Sequence, residues 1–365
     1  MRSNNKREEK RIAVIIGVSF VLLILIICFV GYLFIRSYIK KINLVSVNEL
    51  HSTEQGHINE DDLEPEPEDV SSDMVDSPEE EIQTIEDMIR KNMEDNQTPI
   101  ISDKDVTNIL LIGSDTRKSG GSGRSDAMII ISINKKTKTI TATSILRDIY
   151  LQIPGKKNNR INAAYAMGGA SLLMDTIEQN FKLKVDRFAS VDFYAFIDIV
   201  DTIGGITLDV TEKEISVINR YIEEMNRLTG QDKDLDKITS PGTYLLNGKQ
   251  TLGYVRNRYV GTDFARTARQ REVLEKIFNG VKDLNLIKLN ELMNKILPQV
   301  TTNLTEGEIF SMILSLPSYA TYELQQWSIP MKGTYSNLRI NKMSVLGIDF
   351  EENIKEIQRK IYGIE

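Results

Sequence analysis

Apolar residues fall along this chain first as one long unbroken run and then as shorter strand-like and helix-spaced groups. The long run, Ile12 to Ile35, holds twenty-four residues without a charge, more than the ~20 that cross a bilayer as a helix. Arg2, Lys6, Arg7, Lys10 and Arg11 precede it against only Glu8 and Glu9, a bias that keeps the N-terminus cytoplasmic. The run is too long for a cleaved signal peptide and lacks a small-residue cleavage site. The reading is a cytoplasmic tail over 1–11 and a membrane anchor over 12–35. Everything after Lys41 is then expected outside the cytoplasm.

The shorter groups begin at Asn108-Ile-Leu-Leu-Ile-Gly113, a dense run that suggests a buried strand. Met128–Asn134 and Thr139–Ile145 flank a polar turn and read as a β-hairpin. Asn162–Phe181 has helical spacing interrupted at Gly168-Gly169. A strand at 188–191, a helix at 193–202 and a strand at 206–210 follow, then helices near 212–228, 264–284, 287–297 and 305–316. A strand at 324–329 and a helix at 350–362 end the chain. Strands interleaved with helices over 101–365 predict a three-layer α/β/α domain.

Between anchor and domain, residues 36–100 are dominated by acids. Glu49 to Asn96 carries 18 acidic residues against Arg90 and Lys91, with prolines at 65, 67 and 78. This composition predicts a largely disordered stalk. Its carboxylates lack the alternating spacing and glycine of a calcium loop. The remainder, 97–365, has 35 basic and 32 acidic residues, too even a balance for a nucleic-acid partner.

Two counts narrow the chemistry. The only cysteine, Cys28, lies in the apolar run, so no intramolecular disulfide is available. Both histidines, His51 and His57, lie in the stalk. Ser-His-Asp and Cys-His catalysis and His- or Cys-ligated zinc are thereby excluded from the domain. An enzyme built here works with Asp, Glu, Arg, Lys, Tyr and backbone amides, with or without a hard metal ion.

The charged positions then stand out. Tyr254 to Arg271 holds five arginines in eighteen residues. With Asp263 as N-cap, Arg266, Gln270, Val273, Leu274, Ile277, Val281 and Leu284 share one helical arc, and Arg269 and Arg271 point away from its centre. A guanidinium on a buried stripe at a helix N-terminus calls for an anion. Arg256 and Arg258 project from one face if their segment is extended. Asp115 and Asp126 fall at strand ends, where they suit either turn and capping roles or a hard cation such as Mg²⁺ (or Mn²⁺) shared with phosphate oxygens. Arg147-Asp148 adds a charged pair at the end of the hairpin.

The blocks NILLIGSDTR, GRSDAMIIISIN, SILRDIYLQIPG, RINAAYAMGGA, DFYAFIDIVDTIGGI, LNGKQTLGYVRNR and DFARTARQ occur in this order, and over residues 106–278 the chain resembles the LytR-CpsA-Psr family. The resemblance implies an α/β/α fold around a mixed central sheet, in a membrane-anchored extracytoplasmic enzyme of the Gram-positive envelope. Such an enzyme moves a phosphoglycan from a polyprenyl-pyrophosphate carrier to peptidoglycan. It implies Mg²⁺ at Asp115 and Asp126, and pyrophosphate contacts from Arg124, Arg147, Arg160, Arg256, Arg258, Arg266 and Gln270, with Arg147, Asp263 and Arg266 at the chemistry. Leu146 stands where the family usually has proline, Arg160 where it has lysine, and Thr251 where alanine is more usual. Asp263 or Asp126 could accept the proton of an acceptor hydroxyl. A lipid tail needs an apolar channel, either beneath helices such as 162–181 and 193–202 or elsewhere if those are plain core. The competing readings are a polyprenyl-pyrophosphate hydrolase and a non-catalytic scaffold for lipid-linked glycan. The polymer transferred is left open: wall teichoic acid, capsule or another wall polysaccharide.

Overall fold

The computed structural model describes residues 31, 33–46, 75–95, 97–114, 125–257, 260–261 and 263–364. Most of the apolar run 12–35 lies outside these residues. No described helix is long and apolar enough to cross a membrane.

In chain order the elements are β1 (Asn43–Leu44), α1 (Glu79–Glu94), β2 (Val106–Ser114), β3 (Ser125–Asn134), β4 (Thr139–Ile145), β5 (Tyr150–Gln152), β6 (Asn158–Arg160), α2 (Ile161–Phe181), β7 (Arg187–Val191), α3 (Phe193–Thr202), β8 (Ile206–Val210), α4 (Glu212–Leu228), β9 (Gly242–Leu246), α5 (Gly248–Val255), α6 (Asp263–Lys282), α7 (Leu286–Ile296), β10 (Thr301–Thr302), α8 (Glu306–Tyr319), β11 (Glu323–Ile329), β12 (Tyr335–Ile340), β13 (Met343–Ile348) and α9 (Phe350–Ile357). Seven strands form one mixed sheet in the order β1-β10-β7-β2-β3-β4-β11. The β2–β7 and β4–β11 pairs are parallel, and β3 is antiparallel to both its neighbours. The C-terminal ends of β2, β4, β7 and β11 and the start of β3 therefore meet at one end of the sheet.

Register separates the two faces, because residues directly opposite in neighbouring strands share a face. Phe188, Leu110, Ile130, Thr143 and Trp327 form a row on the first face. Against it pack Leu173, Ile177 and Phe181 of α2 and Phe350, Ile354 and Ile357 of α9, in one buried cluster. Each such aliphatic or aromatic side chain contributes ~1.5–3 kcal/mol on burial. The kink foreseen in α2 is present: Gly168 and Gly169 leave helical geometry, Gly169 at φ 61°, a region open to glycine without steric cost. Fourteen of the 21 residues of α2 are buried, so much of this helix is core.

Arg187, Ile109, Ile131, Ala142 and Gln326 form a row on the second face. Here α6 lies over β11, where the Gln326 amide donates to Glu275 at 3.2 Å. The start of α8 lies over β7 through an Arg187–Glu308 ion pair at 2.8 Å. Helices on both faces complete the three layers. A second cluster, with Val200, Ile206, Ile218, Leu252 and Val273, joins α3, α4, α5, α6, β8 and β9 beside the sheet. Gly248 allows α5 to start against α3, since a Cβ there would sit 2.5 Å from the Ile197 carbonyl oxygen.

The disordered-stalk expectation over 36–100 fails at both ends. Asn43–Leu44 adds a short edge strand beside Thr301–Thr302. Residues 79–94 form α1, whose Ile85 and Ile89 are buried in the first-face cluster. Ile82, Ile85 and Ile89 recur at helical spacing, and that stripe outweighs the acidic first turn. The acids face outward and favour the helix N-terminus.

Candidate functional site at the end of the sheet

Arg147 follows β4 by two residues and is 2 % exposed. Its backbone is clasped by α2, with Asn162 N–H donating to the Arg147 carbonyl at 3.3 Å and Ile161 N–H to that of Ile149 at 2.9 Å. Arg160, 3 % exposed, arrives from the β5–β6 hairpin, where it pairs with Tyr150. The Asp148 carboxylate sits between the two guanidinium groups, 3.3 Å from Arg147 Nε and 3.9 Å from Arg160. The carboxylate thus bridges two buried guanidinium groups.

Arg266 enters from the first turns of α6 and is 2 % exposed. Val273, two turns on, is 1 % exposed, and Ile277 packs on the second cluster. The arc drawn from sequence is thus the buried side of the helix. Phe264, two residues before Arg266, lines one groove with Asp148, so the start of α6 and the Arg147 corner adjoin. Gln270 is half-buried.

Arg256 reaches the same end by a route the sequence did not suggest. It is the C-cap of α5, at φ −86° and ψ −4°, not part of an extended segment. The Asn247–Gln250 capping box starts α5, and the helix persists because Arg256 N–H still donates to the Leu252 carbonyl at 3.1 Å. The strand-based pairing with Arg258 therefore does not apply. Aromatic rings aim Arg256 instead. Its guanidinium carbon lies 4.1 Å from the Phe193 ring centroid and 4.6 Å from that of Tyr221, contacts worth ~0.5–2 kcal/mol each. Phe193 follows the end of β7, so Arg256 sits at the same end of the sheet as Arg147.

Two further arginines, read as pointing away from the centre of the stripe, are both engaged. Arg269 is a tie. It donates to the Asn257 carbonyl at 2.6 Å and the Val260 carbonyl at 3.1 Å, and lies 3.7 Å from the buried Glu214. It pins the loop carrying Arg256 to α6. Arg271 does not point into water: it is half-buried, and burial holds its guanidinium below its usual range. Glu275, one turn on, touches β11, so the sheet edge covers this flank as well. Tyr254, pushed up to about 12 by burial with Glu272 and Glu214 adding, stays a neutral phenol and supplies no base.

Asp115, Arg124 and Arg258 lie outside the described residues. Asp126 belongs to β3 and Asp263 opens α6 by backbone, their side chains lying outside what is described. Among the described residues there is no group of three or more acids, histidines or cysteines suited to a metal.

On the second face, Ile109, Ile129 and Ile133 are buried yet belong to neither cluster, and Leu111, Ile131 and Ile140 are only half-buried. The overlying α8 has no buried residue, with Ile309, Phe310, Met312 and Ile313 half-covered and Leu314 and Leu316 exposed. Among the described residues this layer is apolar but loosely filled, and it leads to the arginine end of the sheet.

The fold is thus an α/β domain on a mixed sheet, with buried arginines gathered at one end of it. The LytR_cpsA_psr family model matches residues 74–361, and the chain belongs to the LytR-CpsA-Psr family. The matched span takes in α1. The chain is similar to polyisoprenyl-teichoic acid–peptidoglycan teichoic acid transferase TagU of Bacillus licheniformis, at 35% identity over 63% of this chain and 71% of that protein. It is 30% identical to biofilm regulatory protein A of Streptococcus mutans over 62% of this chain, an alignment spanning 58% of that relative's length. Among solved structures it resembles the family protein YwtF (TagT) with bound octaprenyl pyrophosphate lipid. That likeness has a TM-score of 0.52 and 27% identity, and covers 72% of this chain and 92% of that one.

Proposed function

We propose that this chain is a membrane-anchored, extracytoplasmic phosphotransferase of the Gram-positive envelope. It moves a phosphoglycan from a polyprenyl-pyrophosphate carrier to a peptidoglycan hydroxyl. The observation that carries this reading is the set of buried guanidinium groups, Arg147, Arg160 and Arg266, at the end of a sheet whose second face offers a loosely filled apolar layer. A pyrophosphate head with a long apolar tail matches both. The relatives' names support it, since one is a teichoic acid transferase and one structural neighbour holds octaprenyl pyrophosphate.

Phosphoryl transfer is chiefly positioning and charge neutralisation. In this reading Arg147, Arg256 and Arg266, with Arg160 and Gln270 beside them, grip the pyrophosphate oxygens. The acceptor hydroxyl oxygen bonds to the phosphorus carrying the glycan, the bond to the polyprenyl phosphate oxygen breaks, and the hydroxyl proton passes to a carboxylate, Asp263 or Asp126. For Mg²⁺, the donor chemistry fits: Asp115 and Asp126 offer only hard oxygen, Asp115 directly after β2 and Asp126 near the start of the paired β3. Bound there, the ion would supply further charge neutralisation on phosphate oxygens.

The test uses detergent-solubilised full chain, a synthetic polyprenyl-pyrophosphate glycan and purified peptidoglycan. Arg266→Ala should slow transfer roughly thirty- to a thousandfold, or ~2–4 kcal/mol of transition-state binding. Lys282→Ala, an exposed charge on the same helix, should stay within about twofold. Equal, mild losses at both positions would reduce the arginines to a basic surface.

A further inference from the structure

Residues 33–39 are helical and bring the end of the apolar run against the domain. Ile39 is buried. The Tyr38 hydroxyl donates to the Asn290 side chain and the Lys41 ammonium to that of Asn294, both on α7. The Arg36 guanidinium lies 3.8 Å from Glu306, in the first turn of α8. The chain thus leaves its apolar run between α7 and the start of α8.

The elements around this point meet at the end of the sheet opposite the arginines. Glu308 of α8 pairs with Arg187 at the start of β7. Beyond the other end of α8, Glu323 opens β11, its N–H donating to the Lys138 carbonyl beside the start of β4 at 3.0 Å. The 14 residues of α8 make ~21 Å of helix, enough to pass from β7 to β11 over four strand spacings of ~4.8 Å. α6 starts at the arginine end and meets β11 at Glu275, so Phe278, one turn on, lies nearer the far end. α7 follows α6 after a short link, and its Ile287 is 79 % exposed one turn before Asn290, on the stripe that meets Tyr38. Segment 33–39, α8, α6 and α7 therefore close a ring. Each carries exposed apolar side chains: Phe34, Leu314 and Leu316, Phe278, and Ile287. One such residue alone is ordinary; a ring of them around the arrival point of an apolar run marks an interaction surface.

We propose that this ring docks the domain on the bilayer, its apolar side chains sinking ~5–10 Å into the boundary between headgroups and acyl chains. The inference rests on the membrane anchor of the proposed reading and adds a lipid-binding surface to it. The spacing of the chain decides for lipid over a protein partner. The apolar run ends at Ile35, and Arg36 and Tyr38 already touch α8 and α7. One and three residues of helix span only ~1.5 and ~4.5 Å, so no spacer holds the ring away from the membrane. Docking also orients the sheet: the loosely filled second face then runs from the lipid at the ring to the arginines at the other end.

The experiment reconstitutes the full chain in vesicles of equimolar phosphatidylcholine and phosphatidylglycerol, with one nitroxide label per molecule. Paramagnetic resonance then measures collisions with oxygen, which concentrates among acyl chains, and with a neutral nickel chelate, which stays in water. Cys28, the only cysteine, is labelled in the unaltered chain. A Cys28→Ser background carries Ile287→Cys, Leu314→Cys or Lys157→Cys, the last at an exposed site in the β5–β6 turn. Thermal melting confirms the fold, and Phe278→Cys or Leu316→Cys replaces a variant that fails to fold. Labels at 287 and 314 should show an oxygen-to-nickel collision ratio several-fold above that at 157. A water-like ratio at either position overturns the proposal. Shielding from both reagents overturns it too, since it would mean that a protein, a second copy of this chain included, covers the ring. Failure of the anchor reading looks different: the label on Cys28 itself would then give a water-like ratio.

Discussion

The two faces of the central sheet carry similar amounts of isoleucine and leucine but are covered in different ways. On the first face, α2 and α9 bury Leu110, Ile130, Leu173 and Ile177 to nothing. On the second, Leu111 and Ile131 stay half-buried, and α8, tied to β7 through Arg187 and Glu308, has no buried residue of its own. A close-packed face gains dispersion and transfer energy from every side chain. A loosely packed one forgoes part of that gain, and such a concession is expected where an apolar ligand completes the layer. In the proposed reading the sheet separates a stabilising side from a receiving side, and the arginines stand where the receiving side ends.

The largest effect should come from the sealed face. Leu173 is fully buried in the first cluster. Leu173→Ala should cost ~2–5 kcal/mol through lost transfer energy and an unfilled cavity, read as a fall in denaturation midpoint. A loss below ~1 kcal/mol would mean that the first face is no tighter than the second, and the contrast would collapse.

A smaller effect should appear where the second cluster meets the loop bearing Arg256. Arg269 ties α6 to the Asn257 and Val260 carbonyls and to Glu214. Arg269→Gln should remove ~1.5–3 kcal/mol of charge-assisted bonding and lower transfer by loosening Arg256. Partial recovery in Arg269→Lys would show that charge alone restores some of the tie. Unchanged stability in Arg269→Gln would show that the loop is held without it.

These arginines also mark what a sequence can and cannot disclose. The arc holding Arg266 was legible because Val273 and Ile277 repeat at helical spacing. Which anion or carbonyl each guanidinium meets was not, since Arg269 and Arg271 differ only in the surfaces folded onto them. The β12–β13 hairpin was overlooked because Asn337, Arg339, Asn341 and Lys342 make its stretch look polar. Its signal was Asn341-Lys342, both at positive φ, a two-residue turn between Ile340 and Met343 of the primed kind that favours hairpins. α1 was hidden in the same way, three isoleucines at helical spacing among many acids.

The smallest stability effect should fall on the receiving face, where it comes with a change in binding. Ile131 is half-buried and belongs to neither cluster, so Ile131→Ala leaves little cavity behind and should cost no more than ~1 kcal/mol of folding stability. If the tail of a polyprenyl pyrophosphate fills the layer, the same change removes part of its contact surface. At ~0.8 kcal/mol per fully buried methylene, discounted for partial contact, lipid affinity should fall roughly two- to fivefold. Inorganic pyrophosphate, which has no tail, should bind Ile131→Ala and wild type alike. Titrating both ligands against the solubilised protein separates the cases. A protein destabilised as much as by Leu173→Ala would make Ile131 ordinary core. Equal losses for lipid and inorganic pyrophosphate would move the effect to the arginines and leave the second face without a ligand.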